Sequence, residues 1–212
     1  MATSAVADED EQLLRAWRDG DEAAGNALVE RHFSTVYRFF RSKVDTEVED
    51  LTQRTFMLSL EGLDRLRSDR DFRAFLLGIA RRLLLRRFRD QAIRKRHEDP
   101  MKMCAEELSA TPSRAVAAKD ERKLLSLGLR RIPLDLQICL ELHYWEELSV
   151  ADIAAVLDVP EGTVKSRLHR AREQLRKRLE AMQADPALVE STLGELAKWA
   201  RALKERMDDR DE

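Results

Sequence analysis

Glycine, proline and cysteine are scarce in this sequence. The 212 residues include seven glycines, five prolines and two cysteines, and aromatic residues make up only 6% of the chain. Because glycine and proline interrupt helices and favour turns, their scarcity favours a mostly helical protein. The two cysteines, Cys104 and Cys139, lie in segments that we expect to be apart, so reduced thiols are predicted.

A long apolar run is also missing. No segment approaches the ~20 apolar residues that a membrane-spanning helix requires. The N-terminal letters MATSAVADEDEQ are acidic and do not resemble the positively charged start of a secretion signal. We therefore expect a cytoplasmic protein with no membrane insertion.

Signatures of catalysis and of metal binding are absent as well. The sequence has no Ser/His/Asp order, no glycine-rich phosphate loop and no pair of carboxylates at catalytic spacing. A run of soft ligands at His97, Met101, Met103 and Cys104 could hold copper, but it contains no Cys–Cys or His–His pair at ligand spacing. We predict no catalytic residue, no cofactor and no metal site.

The most informative segment that is present spans residues 148–179 and reads LSVADIAAVLDVPEGTVKSRLHRAREQLRKRL. Its apolar spacing predicts two short helices. Asp158, Val159 and Pro160 predict the tight turn between them, because Asp tolerates the left-handed conformation and Pro suits the first turn of a helix. The residues predicted to face inward are Ile153, Ala154, Leu157, Val164, Leu168, Ala171 and Leu175.

The second of these helices carries a basic outer face. A helix held in this way fits the major groove of duplex DNA, where Arg and Lys donate to guanine and hold phosphates. The segment therefore predicts a helix-turn-helix that reads duplex DNA; the alternative is an amphipathic hairpin with a solvated basic face. The outward residues are Lys165, Ser166, His169, Arg170 and Arg172.

Charge is unevenly distributed, although the net charge is only −2. Residues 81–97 contain eight Arg or Lys and one Asp, and residues 161–178 contain seven Arg or Lys and two Glu. The rest of the chain is acidic. Two basic helices predict two separate phosphate-facing surfaces, and the acidic remainder suits a basic protein partner or solubility.

Helical periodicity, with its interruptions, predicts an all-α protein made of two small helical domains, a flexible linker between them and a C-terminal amphipathic helix. Asp21 is predicted to cap a helix after Gly20, and apolar spacing predicts the buried faces of the first domain. Those faces are Val29, Phe33, Val36, Tyr37 and Phe40, then Leu51, Thr55 and Leu58, then Phe72, Leu76, Ile79 and Leu83.

The predicted segments are a disordered tail at 1–8, a first domain at 9–97, a linker at 98–118, a second domain at 119–182 and an extension at 187–212.

The extension beyond Pro186 has an amphipathic seam. A strap across the second domain, a dimer helix and a regulatory contact are all compatible with such a pattern, and we favour the strap because an amphipathic stripe most often buries locally. The apolar positions are Val189, Leu193, Leu196, Ala200, Leu203 and Met207.

These motifs together resemble the extracytoplasmic-function (ECF) sigma factors, the small promoter-specificity subunits of bacterial RNA polymerase. The first domain carries LVERHFSTVYRFF, EDLTQRTFMLSL and FRAFLLGIARRLLLRRFR, and the second carries IPLDLQICLELHYWEELSVADIAAVLDVPEGTVKSRLHRAR. The first three strings are similar to the family's sigma-2 pattern, and the last is similar to its sigma-4 pattern. The resemblance covers most of residues 28–179.

The resemblance implies three binding surfaces, on core polymerase, on the melted minus-10 element and on the minus-35 duplex. It further implies contact with the flap of the second-largest polymerase subunit, and an anti-sigma factor as a partner. The residues at the corresponding positions are Asp50, Leu51, Gln53 and Phe56 for the clamp helices of the largest polymerase subunit; Arg67, Ser68, Asp69, Arg70, Asp71, Arg81, Arg82, Arg86 and Arg89 for the minus-10 element; and Lys165, Ser166, His169 and Arg170 for the minus-35 element.

The sequence departs from the family pattern at several of these surfaces. Arg54 replaces the acidic residue that usually follows the clamp-binding Gln, and Phe75 stands where Trp is usual. Arg82 and Arg86 replace Asn and Asp, which makes the minus-10 helix more basic.

Two other classes of function are compatible with a helix-turn-helix. A free-standing regulator would bind DNA as a dimer through the C-terminal seam. A protein that only sequesters polymerase or another regulator would keep the acidic clamp surface but would have no use for Lys165 or Arg170.

Overall fold

The computed structural model describes residues 2–62, 72–95, 103–105, 121–182 and 186–198. These residues form nine α-helices, with no strand beyond one isolated bridge between Cys104 and Pro133. The predicted all-α architecture of two small helical domains is confirmed. The helices are α1 (Ala2–Arg18), α2 (Glu22–Arg41), α3 (Val48–Gly62), α4 (Phe72–Lys95), α5 (Glu121–Arg130), α6 (Leu134–Tyr144), α7 (Val150–Leu157), α8 (Glu161–Ala181) and α9 (Pro186–Gly194).

Helices α1 to α4 build the first domain around an apolar core. Helix α1 packs on α2, and α2, α3 and α4 pack on one another. Gly20 has a φ of 98°, and the Asp21 carboxylate accepts hydrogen bonds from the amides of Ala23 and Ala24. The predicted helix break and N-cap are therefore confirmed.

The N-terminal segment differs from the sequence expectation. Residues 1–8 are predicted as a disordered tail, whereas α1 begins at Ala2. The alanines at positions 2, 5 and 7 have high helix propensity, and the helix continues into Leu14, which is fully buried.

The prediction that Leu58 is buried with Leu51 and Thr55 is wrong for Leu58, which is 40% exposed. The buried stripe of α3 continues through Thr52, Thr55 and Ser59 instead. Their hydroxyls donate to carbonyls of Val48, Leu51 and Phe56 in the same helix at 2.8, 2.8 and 2.7 Å. Because these hydroxyls are satisfied locally, they can occupy the core face that apolar periodicity assigns to Leu58.

Helices α5 to α9 form the second domain, in which α8 contacts α5, α6, α7 and α9. All seven residues predicted to face inward from the helix-turn-helix are buried, so that prediction is confirmed. In the C-terminal segment, Val189 and Leu196 are buried and α9 lies against α8 and α5. This packing supports the strap for the described residues; Ala200, Leu203 and Met207 lie outside them.

The two domains contact each other through α4 and α7. Of the predicted linker at 98–118, the structure describes residues 103–105. The Met103 carbonyl accepts a hydrogen bond from the Leu134 amide at 2.9 Å, and Ala105 is fully buried. This short piece of the predicted flexible linker is therefore held against the start of α6.

Candidate nucleic-acid interface

The turn between α7 and α8 sets the position of the predicted DNA-reading helix. Ser149 and Asp152 form a capping box at the start of α7, in which each side chain bonds the other residue's backbone amide. Asp158 then adopts the left-handed conformation with a φ of 55°, and Pro160 is the N-cap of α8. Asp158 therefore provides the left-handed residue that the turn needs. Together with the capping box, this conformation sets the angle at which α8 leaves α7.

The outer face of the first half of α8 is open. Lys165, Ser166, His169 and Arg170 are all exposed, as predicted from their spacing opposite the buried stripe. The Arg170 Nε lies 3.4 Å from the Ser166 carbonyl oxygen, and the His169 side chain is 77% exposed with Glu173 3.9 Å away. Two of the four residues are cations, and two can donate or accept hydrogen bonds, so the face can bind both base edges and phosphates.

Two other cations of α8 are engaged by the protein itself. The Arg172 guanidinium donates to the Tyr144 hydroxyl, and its Cζ lies 5.4 Å from the centre of that ring. Arg167 Nε lies 3.5 Å from Asp135 Oδ2 on α6. Both contacts tie α8 to α6, so these residues orient the helix while Lys165 and Arg170 remain on its open face.

The second basic surface lies along α4. Arg82, Arg86 and Arg89 are exposed, but Arg81 is only partly so because α7 packs beside it. Burial lowers the pKa of the Arg81 guanidinium, and the positive charge of Arg167 lowers it further. The five loop residues predicted to act with this helix, Arg67, Ser68, Asp69, Arg70 and Asp71, lie outside the described residues.

The predicted clamp-binding residues of α3 divide into two groups. Asp50 and Gln53 are exposed, whereas Leu51 and Phe56 are only 5% and 7% exposed. Leu51 and Phe56 belong to the core and shape this surface from beneath, so their burial does not fit a direct contact. The unusual Arg54 pairs with Asp50 one turn earlier, with its Nε 3.1 Å from Oδ2, which partly neutralises the acidic end of the surface.

An apolar area beside Asp50 and Gln53 was not identified from the sequence. Met57 and Leu60 are 54% and 49% exposed, and they follow Gln53 at spacings of four and three residues. Phe33, predicted to be buried, is 45% exposed and stacks on Phe56 with ring centres 6.4 Å apart. For Met57 and Leu60, continuity with polar Gln53 on the same face of α3 is the signal that points to the surface.

The parts of the chain that the structure describes contain no cluster of three or more His, Cys, Asp or Glu that could hold a metal ion. No described helix is long and apolar enough to cross a membrane.

Comparisons with known proteins agree with this arrangement. Residues 28–93 match the sigma-70 region 2 family, and residues 122–175 match the sigma-70 region 4 family. The chain is 30% identical over 182 residues to the ECF RNA polymerase sigma-E factor of Escherichia coli, with 82% of this chain and 95% of the relative covered. It is 26% identical to the sigma-E factor of Haemophilus influenzae, with 82% and 96% covered.

Two solved structures share the fold. CnrH, solved in complex with the cytosolic domain of CnrY, aligns with a TM-score of 0.56 at 24% identity and covers 82% of this chain and 98% of its own. The sigma factor RpoE of Bartonella quintana, solved in complex with the anti-sigma factor NepR, aligns with a TM-score of 0.57 at 20% identity and covers 73% and 96%.

Proposed function

Because this chain belongs to the ECF sigma factors of bacterial RNA polymerase, we propose a division of its surfaces among promoter DNA, core polymerase and an inhibitor. As a sigma factor, it binds core polymerase, recognises the minus-35 and minus-10 promoter elements, and directs promoter opening and transcription initiation. Sigma factors are initiation factors and generally not enzymes. The residues that carry each step are the subject of the proposal.

The minus-35 duplex is assigned to Lys165, Ser166, His169 and Arg170. The observation that supports this assignment most directly is the geometry of α8, whose inner stripe is buried while these four side chains are exposed on its outer face. In the major groove Arg170 would donate to guanine O6 and N7, and Lys165 would hold a phosphate or a second base.

The melted minus-10 element is assigned to α4 and to the loop that precedes it. Arg82, Arg86 and Arg89 are exposed cations on one helix, which suits a single strand held mainly through its backbone. Arg81 and loop residues 67–71 complete the assigned set. The unusual Arg82 and Arg86 add positive charge to this helix, which suits contact with phosphates.

Core polymerase is assigned to the exposed surface of α3. Asp50 and Gln53 supply polar contacts, and Met57, Leu60 and Phe33 supply an adjoining apolar area of the kind that forms the centre of a protein interface. The partner at this surface is the pair of clamp helices in the largest subunit. The flap of the second-largest subunit would bind the second domain.

An anti-sigma factor completes the proposed set of partners, since the sigma factor RpoE of Bartonella quintana, which shares this fold, was solved in complex with the anti-sigma factor NepR. We propose that the protein acts in the cytoplasm. Its proposed functional units are residues 9–97 for core and minus-10 binding, 98–118 as the linker, 119–182 for minus-35 binding and 187–212 as the C-terminal strap.

Run-off transcription with purified core polymerase tests these assignments. We expect a transcript from a cognate promoter only when core and this protein are both present, and we expect Arg170→Ala to reduce it while Arg176→Ala does not. Arg176 is the matched control, because it lies on the same helix but pairs with Glu190. A protein that shifts duplex DNA as a dimer and yields no transcript with core would instead be the free-standing regulator.

A further inference from the structure

The C-terminal helix α9 borders the outer face of α8. The match to sigma-70 region 4 ends at residue 175, so α9 lies outside the part of the chain that this family pattern covers. Val189 and Leu196 are buried, and α9 packs on α8 and α5. His169, which is assigned to the minus-35 duplex, lines the same groove as Leu193 of α9. An element to which the family pattern gives no role therefore lies at the edge of the proposed DNA-reading face.

Arg176 belongs to the same row of side chains as Lys165 and His169. Starting from Lys165, the row continues at intervals of four, three and four residues, which keeps its members on one side of α8. The third member, Arg172, donates to the Tyr144 hydroxyl of α6. Arg176 is thus the next cation of the row that could reach DNA.

The position of Arg176 along α8 decides which part of the DNA it could contact. It lies eleven residues after Lys165, which is about 16 Å further along the axis of an α-helix. In helix-turn-helix proteins the N-terminal residues of the recognition helix contact the base edges, and the duplex curves away from the straight helix beyond them. The DNA that faces Arg176 is therefore phosphate backbone. A free guanidinium there would add a contact that carries no sequence information.

Glu190 of α9 already occupies the donors that such a contact would use. Its Oε1 accepts a hydrogen bond from Arg176 Nη1, and its Oε2 lies 3.4 Å from Nη2. A guanidinium binds a carboxylate or a phosphate with the same two parallel N–H groups, so one anion excludes the other. The hydrogen bond raises the pKa of the Arg176 guanidinium and lowers the pKa of the Glu190 carboxyl group, so both partners stay charged.

Two carboxylates of α8 itself also lie near Arg176. Glu173 lines the same groove, and the negative charge of Glu180 contributes to the raised pKa of the Arg176 guanidinium. Together with Glu190, these groups would repel a phosphate that approached the C-terminal half of α8. Lys165 and Arg170 in the N-terminal half remain open to DNA.

We propose that Glu190 is a positioning residue that limits sequence-independent DNA binding: it holds Arg176 away from the phosphate backbone, so that α8 binds the minus-35 duplex mainly through its N-terminal half. The inference rests on the proposed role of α8 in minus-35 binding. One phosphate contact is withheld, and the base contacts of Lys165 and Arg170 therefore supply a larger share of the binding free energy.

The test measures binding of full-length protein in complex with core polymerase to two short duplexes. The first duplex carries the minus-35 element of a promoter that supports run-off transcription and ends before the minus-10 element; the second has its minus-35 sequence scrambled. Fluorescence anisotropy at a series of salt concentrations gives the affinity and its salt dependence. Glu190→Gln releases Arg176, and Glu190→Gln combined with Arg176→Gln removes both charges. Glu195→Gln is the matched control, because Glu195 pairs with Lys198 within the C-terminal segment at 2.7 Å.

Glu190→Gln should bind both duplexes roughly fivefold more tightly near 0.1 M salt, with a salt slope steeper by about 0.9, as for one added phosphate contact. The gain should be equal on the two duplexes, because a phosphate contact does not depend on sequence. Arg176→Gln, Glu195→Gln and the double variant should bind like wild type. A gain on the minus-35 duplex alone, or a gain that persists in the double variant, would overturn the proposal.

A purely structural role of the ion pair gives a different pattern. Glu190→Gln would then lower the melting temperature and leave the affinity and the salt slope unchanged, which would also overturn the proposal. Because exposed ion pairs contribute little to stability, the variant should fold, and circular dichroism checks this. Failure of the proposed function is a separate result: Arg170→Ala would then bind the minus-35 duplex like wild type, and the inference about Glu190 would fail with it.

Discussion

Helices α4 and α8 are both rich in arginine, yet the structure presents them differently. On α8 the cations fall into two groups: Arg167 and Arg172 contact α6, and Lys165 and Arg170 face outward. On α4 the exposure of the cations depends on the other domain, because α7 covers the side where Arg81 lies. The helix proposed to read duplex DNA is therefore presented by its own domain, whereas the exposure of the helix proposed to hold the melted strand depends on how the two domains are arranged.

The largest effect is expected from the loss of a buried side chain in the C-terminal segment. Leu196 is 3% exposed in the apolar cluster of the protein, and Leu196→Ala should lower the free energy of unfolding by about 2 to 5 kcal/mol. Thermal and urea denaturation measure this loss. Leu60→Ala, at an exposed position, is the control and should change stability much less. If wild-type protein self-associates and Leu196→Ala is equally stable but monomeric, the C-terminal segment is an interface and not a strap.

Arg170→Ala removes a proposed base contact without removing a buried side chain. We expect promoter binding to weaken by about 1 to 3 kcal/mol and base preference to relax at one position of the minus-35 element. A panel of promoter variants in run-off transcription measures both quantities. Unchanged strength and unchanged preference across the panel would remove Arg170 from the DNA-reading set.

Ser149→Ala disrupts the capping box that starts α7. Loss of a Ser N-cap costs typically about 1 kcal/mol, so the second domain should be less stable while its base preference stays the same. Comparison of melting curves with transcription on the same promoter panel checks this. A change in base preference would mean that the cap sets the angle of α8 in addition to its stability.

Arg86→Gln tests the proposed contact of α4 with the melted strand. Of the four substitutions it should have the smallest effect on promoter binding at a single salt concentration. Removing one phosphate contact should weaken promoter opening on every sequence and reduce the salt dependence of binding by a slope of about 0.7. Arg87→Gln is the matched control, because the neighbouring Arg87 already bonds Glu47, with Nε 2.6 Å from Oε2. Equal salt slopes for the two variants would indicate that Arg86 does not hold phosphate.

The second domain was the more predictable of the two. Its signals are local: Asp158 takes the left-handed conformation, Val164 and Leu168 are buried at helical spacing, and Lys165 and Arg170 are left outside. In the first domain the same rules misplace Leu58 and Phe33. Leu58 is misplaced because Thr52 and Ser59 satisfy their hydroxyls within α3 and thereby take core positions that hydropathy gives to apolar residues.

The sequence by itself determined the helical class, the helix-turn-helix, the family and the positions of the two basic helices, because these depend on contacts and spacings within a few turns of chain. The tertiary structure alone decided that Lys43 is buried against Glu141, that Arg81 is partly covered by α7, and that Met57 and Phe33 reach the surface. Each of these outcomes depends on residues far away in the sequence. Burial and pairing of a side chain are set by which distant elements pack over it, and no local pattern of charge or hydropathy encodes that choice.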